Sequence, residues 1–303
     1  MTAKIVIVGS FNVDLTSYMQ RMPAPGETVN GDRFVTGPGG KGSNQAVAAA
    51  RLGADVTFVG RVGQDVFAPI ALSIWQQEGV NTDYLVQDPD HSTGVAPIFV
   101  DASGENSIVV VLGANLALSR ADVDRARPAI SGADVVITQL EIDPDTTAYA
   151  LQVAREYGVR TILNPAPARH LPPEVIALAD FITPNQTELA TLSGLSGAPV
   201  ETMARALLVS ETQVVVCTLG AAGAQYVRRA DSGMVPSFKV NVVDTTGAGD
   251  AFNGGLAVAL AEGRGLADAI AFANTTAALC VTRPGTAPSM PRREDVDALI
   301  RAQ

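Results

Sequence analysis

The segment VVDTTGAGDAFNGG, residues 242–255, combines a glycine-rich turn with two carboxylates. An apolar stretch that we expect to be helical follows the turn, and the free backbone amides at a helix start attract anions such as phosphate. Asp250 lies at the expected start of this helix, and Asp244 comes just before the turn. Carboxylates repel phosphate, so Asp250 is either a simple helix N-cap or a reactive group placed beside an anion site.

A second glycine-rich segment, GPGGKGSNQAVAAARLG, occupies residues 37–53. It is not a Walker A loop, because no Ser or Thr follows Lys41 and position 35 is Val instead of Gly. The first segment does not fit the dinucleotide-binding motif either, because Phe252 stands where that motif needs its last glycine. Glycine-rich turns between strands and helices are common, so either segment taken alone could be purely structural.

Composition narrows the class of protein. The chain has 303 residues, of which 17% are charged and 47% are hydrophobic, and its net charge is −10. These values exclude a disordered chain, and no apolar run approaches the ~20 residues of a membrane span. The negative charge argues against nucleic acid or an anionic membrane as a partner. Any bound phosphate therefore needs local amides, a metal and a few cations.

Two features bear on the cellular location. The first apolar run, residues 5–8, is too short for the core of a signal peptide and ends at Gly9-Ser10. Cys217 and Cys280 lack metal-type spacing, and we expect both to be buried free thiols. These features favour a cytoplasmic protein.

Short β-branched runs alternate with helix-like stretches along the chain. The runs are KIVIVG, VTFVGRV, DVVITQL, RTILN, DFIT and QVVVCTLG, and the helical stretches include residues 44–52, 146–157, 200–209 and 250–262. This alternation predicts an α/β fold with a mostly parallel sheet that helices cover on both faces. Two segments break the pattern: residues 11–41 are strand-like, and residues 94–113 predict a hairpin that turns at 102–105. Together they predict a small β insertion.

The two glycine-rich segments together resemble a known family. GGKGSNQAVAAARLGADVTFVGRVGQD (39–65) and DTTGAGDAFNGG (244–255) are similar to the two signatures of the ribokinase-like carbohydrate kinase family, also called the PfkB family. The segments STGVAPIFV, GANLALS, QLE, LNPAPAR and TPNQTE also resemble that family and come in the same order, so the similarity spans essentially the whole chain. The resemblance implies one kinase domain over residues 1–303, with a β lid built from residues 11–41 and 94–113. It also implies a homodimer formed through the lids.

The resemblance implies transfer of the γ-phosphoryl group of ATP to a sugar hydroxyl. Asp250 is then the general base that takes the hydroxyl proton, and the amides of Gly247, Ala248 and Gly249 form the anion pocket. Asp250 must lie near the γ-phosphate before transfer, so a Mg²⁺ ion has to offset the repulsion between them. This answers why carboxylates stand at a phosphate site.

The resemblance also implies a nucleotide and Mg²⁺ site. Asn185 and Glu188, in TPNQTE, help to bind Mg²⁺, largely through water, although such a pair is also a common helix start. The residues implied to contact ATP are Asn185, Thr218, Gly220, Gly223, Gly249 and Asn274.

A monovalent cation, usually K⁺, is implied beside the anion pocket. Its ligands come from Asp244, Thr246, Cys280, Arg283, Gly285 and Ser289, several of them through a backbone oxygen. The segment TRPGTAPSMP is rich in Pro and Gly, which leaves carbonyl groups free of regular pairing and available to an ion. A simple surface loop is the alternative for this segment.

Polar residues beside predicted strand ends supply the sugar site. Asn12 and Asp14 follow the first strand and Glu141 ends the strand in QLE, and ligands of open α/β folds bind at the ends of parallel strands. The expected site is completed by residues at the starts of two helices, namely Gly40, Lys41, Gly42, Asn44 and Asp250. Lys41 has a structural alternative, in which it pairs with a carboxylate. His91 and His170 fall in no matching motif, and we expect both at the surface.

We expect an ATP-dependent kinase that phosphorylates the 5-hydroxyl of D-ribose. Kinases of 2-deoxyribose, hexoses or nucleosides are alternatives within the family, and a sugar- or nucleotide-binding regulator without turnover is an alternative outside it. The Asn12 amide favours ribose, because a buried amide that faces a missing 2-hydroxyl loses its partner at a cost of about 1–3 kcal/mol.

Overall fold

The computed structural model describes residues 2–302. Its strands are β1 (Lys4–Val8), β2 (Asn12–Met19), β3 (Gly31–Gly39), β4 (Asp55–Gly63), β5 (Asn81–Asp88), β6 (Gly94–Val100), β7 (Asn106–Ile108), β8 (Val135–Thr138), β9 (Arg160–Leu163), β10 (Phe181–Ile182), β11 (Val214–Thr218), β12 (Ala224–Val227) and β13 (Ser232–Val235).

The larger sheet has nine strands in the order β13-β12-β11-β10-β9-β8-β1-β4-β5. Every neighbouring pair from β11 to β5 is parallel, and only β12 and β13 pair antiparallel at one edge. The predicted mostly parallel sheet is confirmed. Three of its strands, β5, β12 and β13, are missing from the sequence prediction; β5 and β13 are the two edge strands and β12 lies beside β13, and burial of all three is less complete than in the central strands.

The helices are α1 (Lys41–Arg51), α2 (Ala68–Gln77), α3 (Arg120–Arg125), α4 (Arg127–Ser131), α5 (Pro144–Glu156), α6 (Pro173–Ile176), α7 (Gln186–Ser193), α8 (Val200–Leu207), α9 (Ala248–Ala261), α10 (Leu266–Cys280) and α11 (Arg293–Arg301). Short 3₁₀ helices span Gly113–Ala117, Gly220–Ala222 and Ala287–Ser289. No helix between residues 2 and 302 has both the length and the apolar surface to cross a bilayer.

Helices cover the large sheet on both faces, because successive strand residues point to opposite sides. On β1, Ile5 and Ile7 join a core formed with α1, α2, α9, α10 and α11. Val6 and Val8 point the other way, into a core with α3, α4 and α5. Further along the sheet, α5 to α8 cover β9 to β11. The predicted covering of both faces is confirmed, and it explains why the central strands are continuous apolar runs.

A second sheet has four strands in the order β3-β2-β6-β7. Its strands come from the two segments that break the α/β alternation in the sequence. β2 pairs antiparallel with β3 and parallel with β6, and β6 pairs antiparallel with β7 across the turn at residues 101–105. This sheet begins directly after β1 and after Thr93, so it adjoins the carboxyl ends of the large sheet's strands. Its action as a lid within a single kinase domain stays a prediction.

Candidate active site

The GAGD turn starts helix α9. Gly247 is its N-cap at φ 79°, a left-handed conformation that glycine adopts without strain, so the chain can turn sharply into the helix. The amides of Gly247, Gly249 and Asp250 have no acceptor within residues 2–302, whereas the Ala248 amide donates to the Thr245 carbonyl at 3.3 Å. The free amides at the helix start are suited to bind an anion.

Asp250 is the third residue of α9 and does not cap the helix, which excludes the structural alternative for this residue. Its side chain is 6% exposed. One oxygen accepts a hydrogen bond from Asn44 Nδ2 at 2.9 Å, and the other accepts from Gln45 Nε2 at 3.0 Å. Two donors on α1 therefore hold both oxygens of this carboxylate.

Burial raises the pKa of Asp250, and the nearby Lys41 ammonium and the two amide donors oppose this rise only in part. Burial alone would lower the pKa of Lys41, but the carboxylates of Asp250, Glu141 and Glu188 together raise it. Lys41 is therefore a charged lysine that faces several carboxylates. A purely structural ion pair does not describe it, because its side chain makes no salt bridge within residues 2–302 and lines a cavity.

Glu141 joins three segments of the predicted sugar site. Its Oε2 atom accepts hydrogen bonds from Ser10 Oγ at 2.6 Å, from the Lys41 amide at 2.9 Å and from Asn12 Nδ2 at 3.3 Å. Gly40 makes this approach possible: its φ is 85°, and a Cβ there would lie 2.5 Å from the Asn12 nitrogen. The chain after β1, the start of α1 and the end of β8 thus meet at one carboxylate.

Asn12 is 2% exposed, and its amide orientation is fixed by its neighbours. Asn115 donates from Nδ2 to Asn12 Oδ1 and to the Phe11 carbonyl, both at 2.9 Å, and accepts from the Phe11 amide at 2.9 Å. The Phe11 backbone therefore orients the Asn115 amide, which in turn points the Asn12 oxygen away from Glu141. The NH₂ group of Asn12 is left with one hydrogen beyond its bond to Glu141.

Asp14 lies on β2 and accepts a hydrogen bond from Thr286 Oγ1 at 3.1 Å. Burial, together with the charges of Glu141 and Asp250, raises the pKa of Asp14 to about 6, and the Thr286 bond opposes this rise. The one hydroxyl hydrogen of Thr286 is shared between Asp14 and the Pro38 carbonyl, which lies 2.8 Å from Oγ1, so the loop after α10 contacts both β2 and β3.

Two cavities adjoin the GAGD turn. One, of about 390 Å³, contains Asp250 and Lys41 with the predicted anion pocket; its lining includes Gly247, Ala248, Gly249, Asn185, Glu188 and Asn164. The other, of about 560 Å³, is more apolar; its lining includes Gly223, Phe238, Val240, Phe252, Asn274 and Val281. Both cavities share Thr218, Gly220, Thr245, Ala248 and Gly249. A ligand with an apolar ring system and a charged end has the shape of this pair of cavities.

Asn185 and Glu188 form a capping box at the start of α7. Asn185 Oδ1 accepts from the Glu188 amide, and Glu188 Oε2 accepts from the Asn185 amide, both at 2.8 Å. This is the structural alternative for the pair, yet both residues also line the cavity with Asp250. Burial raises the pKa of Glu188. A hydrated cation in that cavity would be met by Glu188, and its binding by this pair stays a prediction.

Asn274 lines the apolar cavity but serves the fold as well. Its Nδ2 donates to the carbonyl groups of Val235 and Pro236 at 2.9 and 3.2 Å. The amide therefore connects α10 to the end of β13 and the residue after it, and contact of Asn274 with ATP stays a prediction. Thr218, Gly220 and Gly223 lie where β11 leads into the 3₁₀ turn, along the same cavity.

The predicted monovalent-cation residues lie close together around the loop after α10. Asp244 accepts from the Thr246 and Gly285 amides, both at 2.9 Å; these bonds outweigh burial and lower the pKa of Asp244. Cys280 Sγ lies 3.1 Å from Ser289 Oγ. The Arg283 side chain points elsewhere, because it is exposed and pairs with Asp295 at 3.1 Å, so only its carbonyl could serve an ion.

Several residues of this region are absent from the sequence prediction. Gln45, Gln139, Asn164, Asn253 and Asn115 are all buried, and their side chains hydrogen-bond across sequence separations of up to 205 residues. Each of them lies in a segment that resembles the family, but the resemblance gave none of them a role. His91 and His170 are exposed, as expected.

A buried carboxylate beside free helix-start amides, with a polar pocket on one side and a partly apolar cavity on the other, is what a kinase of small hydroxyl compounds requires. Comparisons with known proteins agree. Residues 2–293 match the pfkB family carbohydrate kinase description. The chain therefore belongs to the pfkB family of carbohydrate kinases, and the predicted family and activity class are confirmed.

The similarity to relatives and to solved structures extends over nearly the full chain. A ribokinase of Bacillus subtilis is 42% identical over 296 residues, covering 98% of this chain and 99% of the relative. A deoxyribokinase of Salmonella typhimurium is 40% identical over 303 residues, with 98% of each covered. The structure of Arabidopsis thaliana ribokinase complexed with ribose and ATP superimposes with a TM-score of 0.89 at 32% identity, covering 99% of each chain. A bifunctional ribokinase/ribose-5-phosphate isomerase A is longer, and the chain spans 55% of its length.

Proposed function

We propose that this protein transfers the γ-phosphoryl group of ATP to the 5-hydroxyl of D-ribose. The observation that carries the proposal is the position of Asp250, whose held carboxylate lines the same cavity as the free amides of the GAGD turn. Ribokinases at about 40% identity support ribose as the substrate, and the Arabidopsis complex with ribose and ATP supports the pair of ligands.

In the proposed reaction, Asp250 accepts the proton of the sugar hydroxyl as the oxygen–phosphorus bond forms. The amides of Gly247 and Gly249 bind charge on the transferred phosphoryl oxygens, and Lys41 adds a cation to the same cavity. Asn12, Asp14, Asn44 and Glu141 hold the sugar, since each buried hydroxyl needs a partner. The Asn44 Oδ1 atom is buried without a protein partner within residues 2–302, which suits a sugar hydroxyl donor.

Mg²⁺ and K⁺ belong to the proposal. Glu188 and Asn185 would hold Mg²⁺ largely through water. The carboxylates of Glu188 and Asp250 line the same cavity, and this supports binding of a divalent cation there. When bound, Mg²⁺ neutralises phosphate charge. Asp244, Ser289 and carbonyl groups of the loop after α10 would hold K⁺. Asp244 supports this fit, because its carboxylate is bound to that loop at the Gly285 amide.

A homodimer through the four-stranded sheet is a further part of the proposal. This sheet and the segment after it expose an unusual number of apolar side chains, namely Phe34, Val35, Phe99, Ile108, Val109, Val110 and Val111. Exposed apolar side chains concentrated on one small sheet support pairing with a second copy. We also propose that the sheet closes over the sugar as a lid and that the enzyme works in the cytoplasm.

Kinases of 2-deoxyribose remain the second candidate, because a deoxyribokinase is as similar to this chain as several ribokinases are. The oriented NH₂ group of Asn12 favours ribose. The deciding experiment measures ADP release over a panel of sugars, with and without K⁺. Ribose is expected to give the highest kcat/KM; equal values for 2-deoxyribose would favour the second candidate, and no ADP release with any sugar would favour a binding protein.

A further inference from the structure

Gln45 is fully buried in helix α1 and lines neither of the two cavities at the GAGD turn. Its side-chain amide nevertheless makes three hydrogen bonds. Nε2 donates to Asp250 Oδ1 at 3.0 Å and to Asn164 Oδ1 at 3.1 Å, and Oε1 accepts from Gln139 Nε2 at 2.6 Å. Gln45 therefore reaches the polar cavity through Asp250 and Asn164, which both line it.

The network around Gln45 fixes which way its amide points. An ionised Asp250 can only accept, so the atom facing it must be the NH₂ group, and the Gln139 donor then meets the Gln45 oxygen. Both hydrogens of the Gln45 NH₂ are used, one on Asp250 and one on Asn164. A flipped amide would place the Gln45 oxygen against the oxygens of Asp250 and Asn164, so these hydrogen-bond partners allow only one orientation of the Gln45 amide.

The same network reaches the anion-binding turn. Asn164 donates to the Thr183 carbonyl at 3.1 Å, and Thr183 Oγ1 donates to Asn253 Oδ1 at 2.6 Å. Asn253 in turn donates to the Gly249 carbonyl at 2.8 Å. Buried hydrogen bonds therefore run from the carboxylate of Asp250 through Gln45 to the backbone of the turn whose free amides form the proposed anion pocket.

We propose that Gln45 is a positioning residue for phosphoryl transfer: its amide fixes the plane of the Asp250 carboxylate and ties that carboxylate to the GAGD turn. The inference rests on the proposed function, in which Asp250 takes the proton. A base must be held in the geometry of transfer, and a carboxylate with only one fixed oxygen would rotate about its side-chain bonds.

The proposal has a consequence for the pH dependence of turnover. Asp250 acts only when ionised, so kcat falls as pH falls through its pKa. Burial raises that pKa, and the Gln45 donor lowers it, so loss of the donor moves the acidic limb of the kcat profile to higher pH. The other titratable groups that face Asp250 from neighbouring elements are Lys41, Asp14, Glu141, Glu188 and Cys280. None of them is altered by a change at Gln45.

The test compares Gln45→Met with Gln213→Met. Gln213 is a matched control, because it is a buried glutamine whose three hydrogen bonds go to backbone atoms of Val209, Ile176 and Ala179, away from both cavities. Loss of a hydrogen bond to a charged group predicts a fall in kcat of about tenfold to hundredfold for Gln45→Met, with little change in the KM for sugar. Gln213→Met should reduce stability but leave kcat within about twofold.

A second variant changes the same contact in a different way and is read by the same pH profile. Gln45→Glu keeps the size of the side chain and places a second carboxyl group beside Asp250, which should move the acidic limb upward further than Gln45→Met does. Folded Gln45 variants with the wild-type kcat and the wild-type acidic limb would overturn the inference. A loss confined to the KM for sugar, or one that Gln213→Met reproduces, would overturn it as well. If the wild-type enzyme itself releases no ADP with any sugar, it is the proposed function that fails.

Discussion

Replacement of Asp250 by Asn removes the proposed base while it changes the side-chain volume very little. The structure shows that this change is not neutral for the surrounding hydrogen bonds. Both oxygens of Asp250 accept from amide groups, Asn44 Nδ2 and Gln45 Nε2, and an asparagine offers only one oxygen. Its NH₂ group must therefore face one of these donors, which then loses its acceptor.

The two effects of this change have different magnitudes. A buried donor left without a partner costs about 1–3 kcal/mol of stability, and removal of a buried charge offsets part of that cost. The melting temperature should therefore fall by less than about 10 °C. Loss of a general base lowers turnover by roughly 10²–10⁴-fold, equivalent to about 2.7–5.4 kcal/mol in the activation barrier. Activity should thus fall far more than stability.

The assay is ADP release at saturating ribose and ATP, with ATP binding measured separately by calorimetry. Asp180→Asn is the control, because Asp180 accepts two hydrogen bonds from Thr161 and lies outside both cavities, so its loss should affect stability but not kcat. A folded Asp250→Asn enzyme that keeps a tenth of wild-type turnover would remove Asp250 from the role of base. Equal losses in both variants would lead to the same conclusion.

Four further predictions address the choice of sugar, the pH dependence of sugar binding, the ions and the assembly. The wild type should prefer ribose over 2-deoxyribose by at least about tenfold in kcat/KM, and Asn12→Met should erode this preference mainly by raising the KM for ribose; equal efficiency in the wild type would contradict it. The pKa of Asp14 is about 6, so Asp14 becomes protonated as pH falls below 6. A protonated carboxyl group is uncharged and accepts hydrogen bonds from sugar hydroxyls more weakly than the carboxylate does, so the KM for ribose should rise. A KM that is constant on both sides of pH 6 would exclude this role. Turnover should require Mg²⁺ and should be faster in K⁺ than in a bulky organic cation at matched ionic strength; equal rates in the two monovalent cations would count against the K⁺ site. Light scattering at micromolar concentration should give a dimer, and a monomer would count against pairing through the four-stranded sheet.

The regular part of the fold could be predicted from the sequence because burial on two faces leaves a clear pattern. Runs such as IVIV in β1 are apolar at every position, and this pattern is typical of a covered parallel strand. The edge strand β5 reads NTDYLVQD, and all its residues except Asp88 are exposed or half-buried, so it resembles a loop as much as a strand. An edge strand such as β5 pairs with one neighbour and is covered less completely, so its sequence lacks the continuous apolar pattern of a central strand.

The candidate site could be predicted in part. The residues in the two glycine-rich motifs follow from a resemblance that assigns each position, and the structure brings Lys41, Asn44 and Asp250 to one place. The supporting amides could not be predicted, because a buried Gln or Asn has no sequence pattern of its own. Gln139 and Asn164 meet Gln45 only after the strands β8 and β9 and the helix α1 are packed together.

The position of Asp250 within the first turn of α9 links the two demands of phosphoryl transfer. A carboxylate at a helix start is stabilised by the helix dipole, and the same dipole favours bound phosphate, so the two anions compete for one positive end. The competition is avoided because the Asp250 carboxylate points towards α1 and leaves the amides of the turn free. The backbone amides of Gly247 and Gly249 stay free, while the Asp250 oxygens take their hydrogen bonds from α1 instead of from α9. Because the carboxylate does not consume the amides, one helix turn can supply both the base and the anion pocket. The first turn of α9 therefore sets the distance between the Asp250 carboxylate and the anion pocket, and a change in the backbone of this turn should affect both.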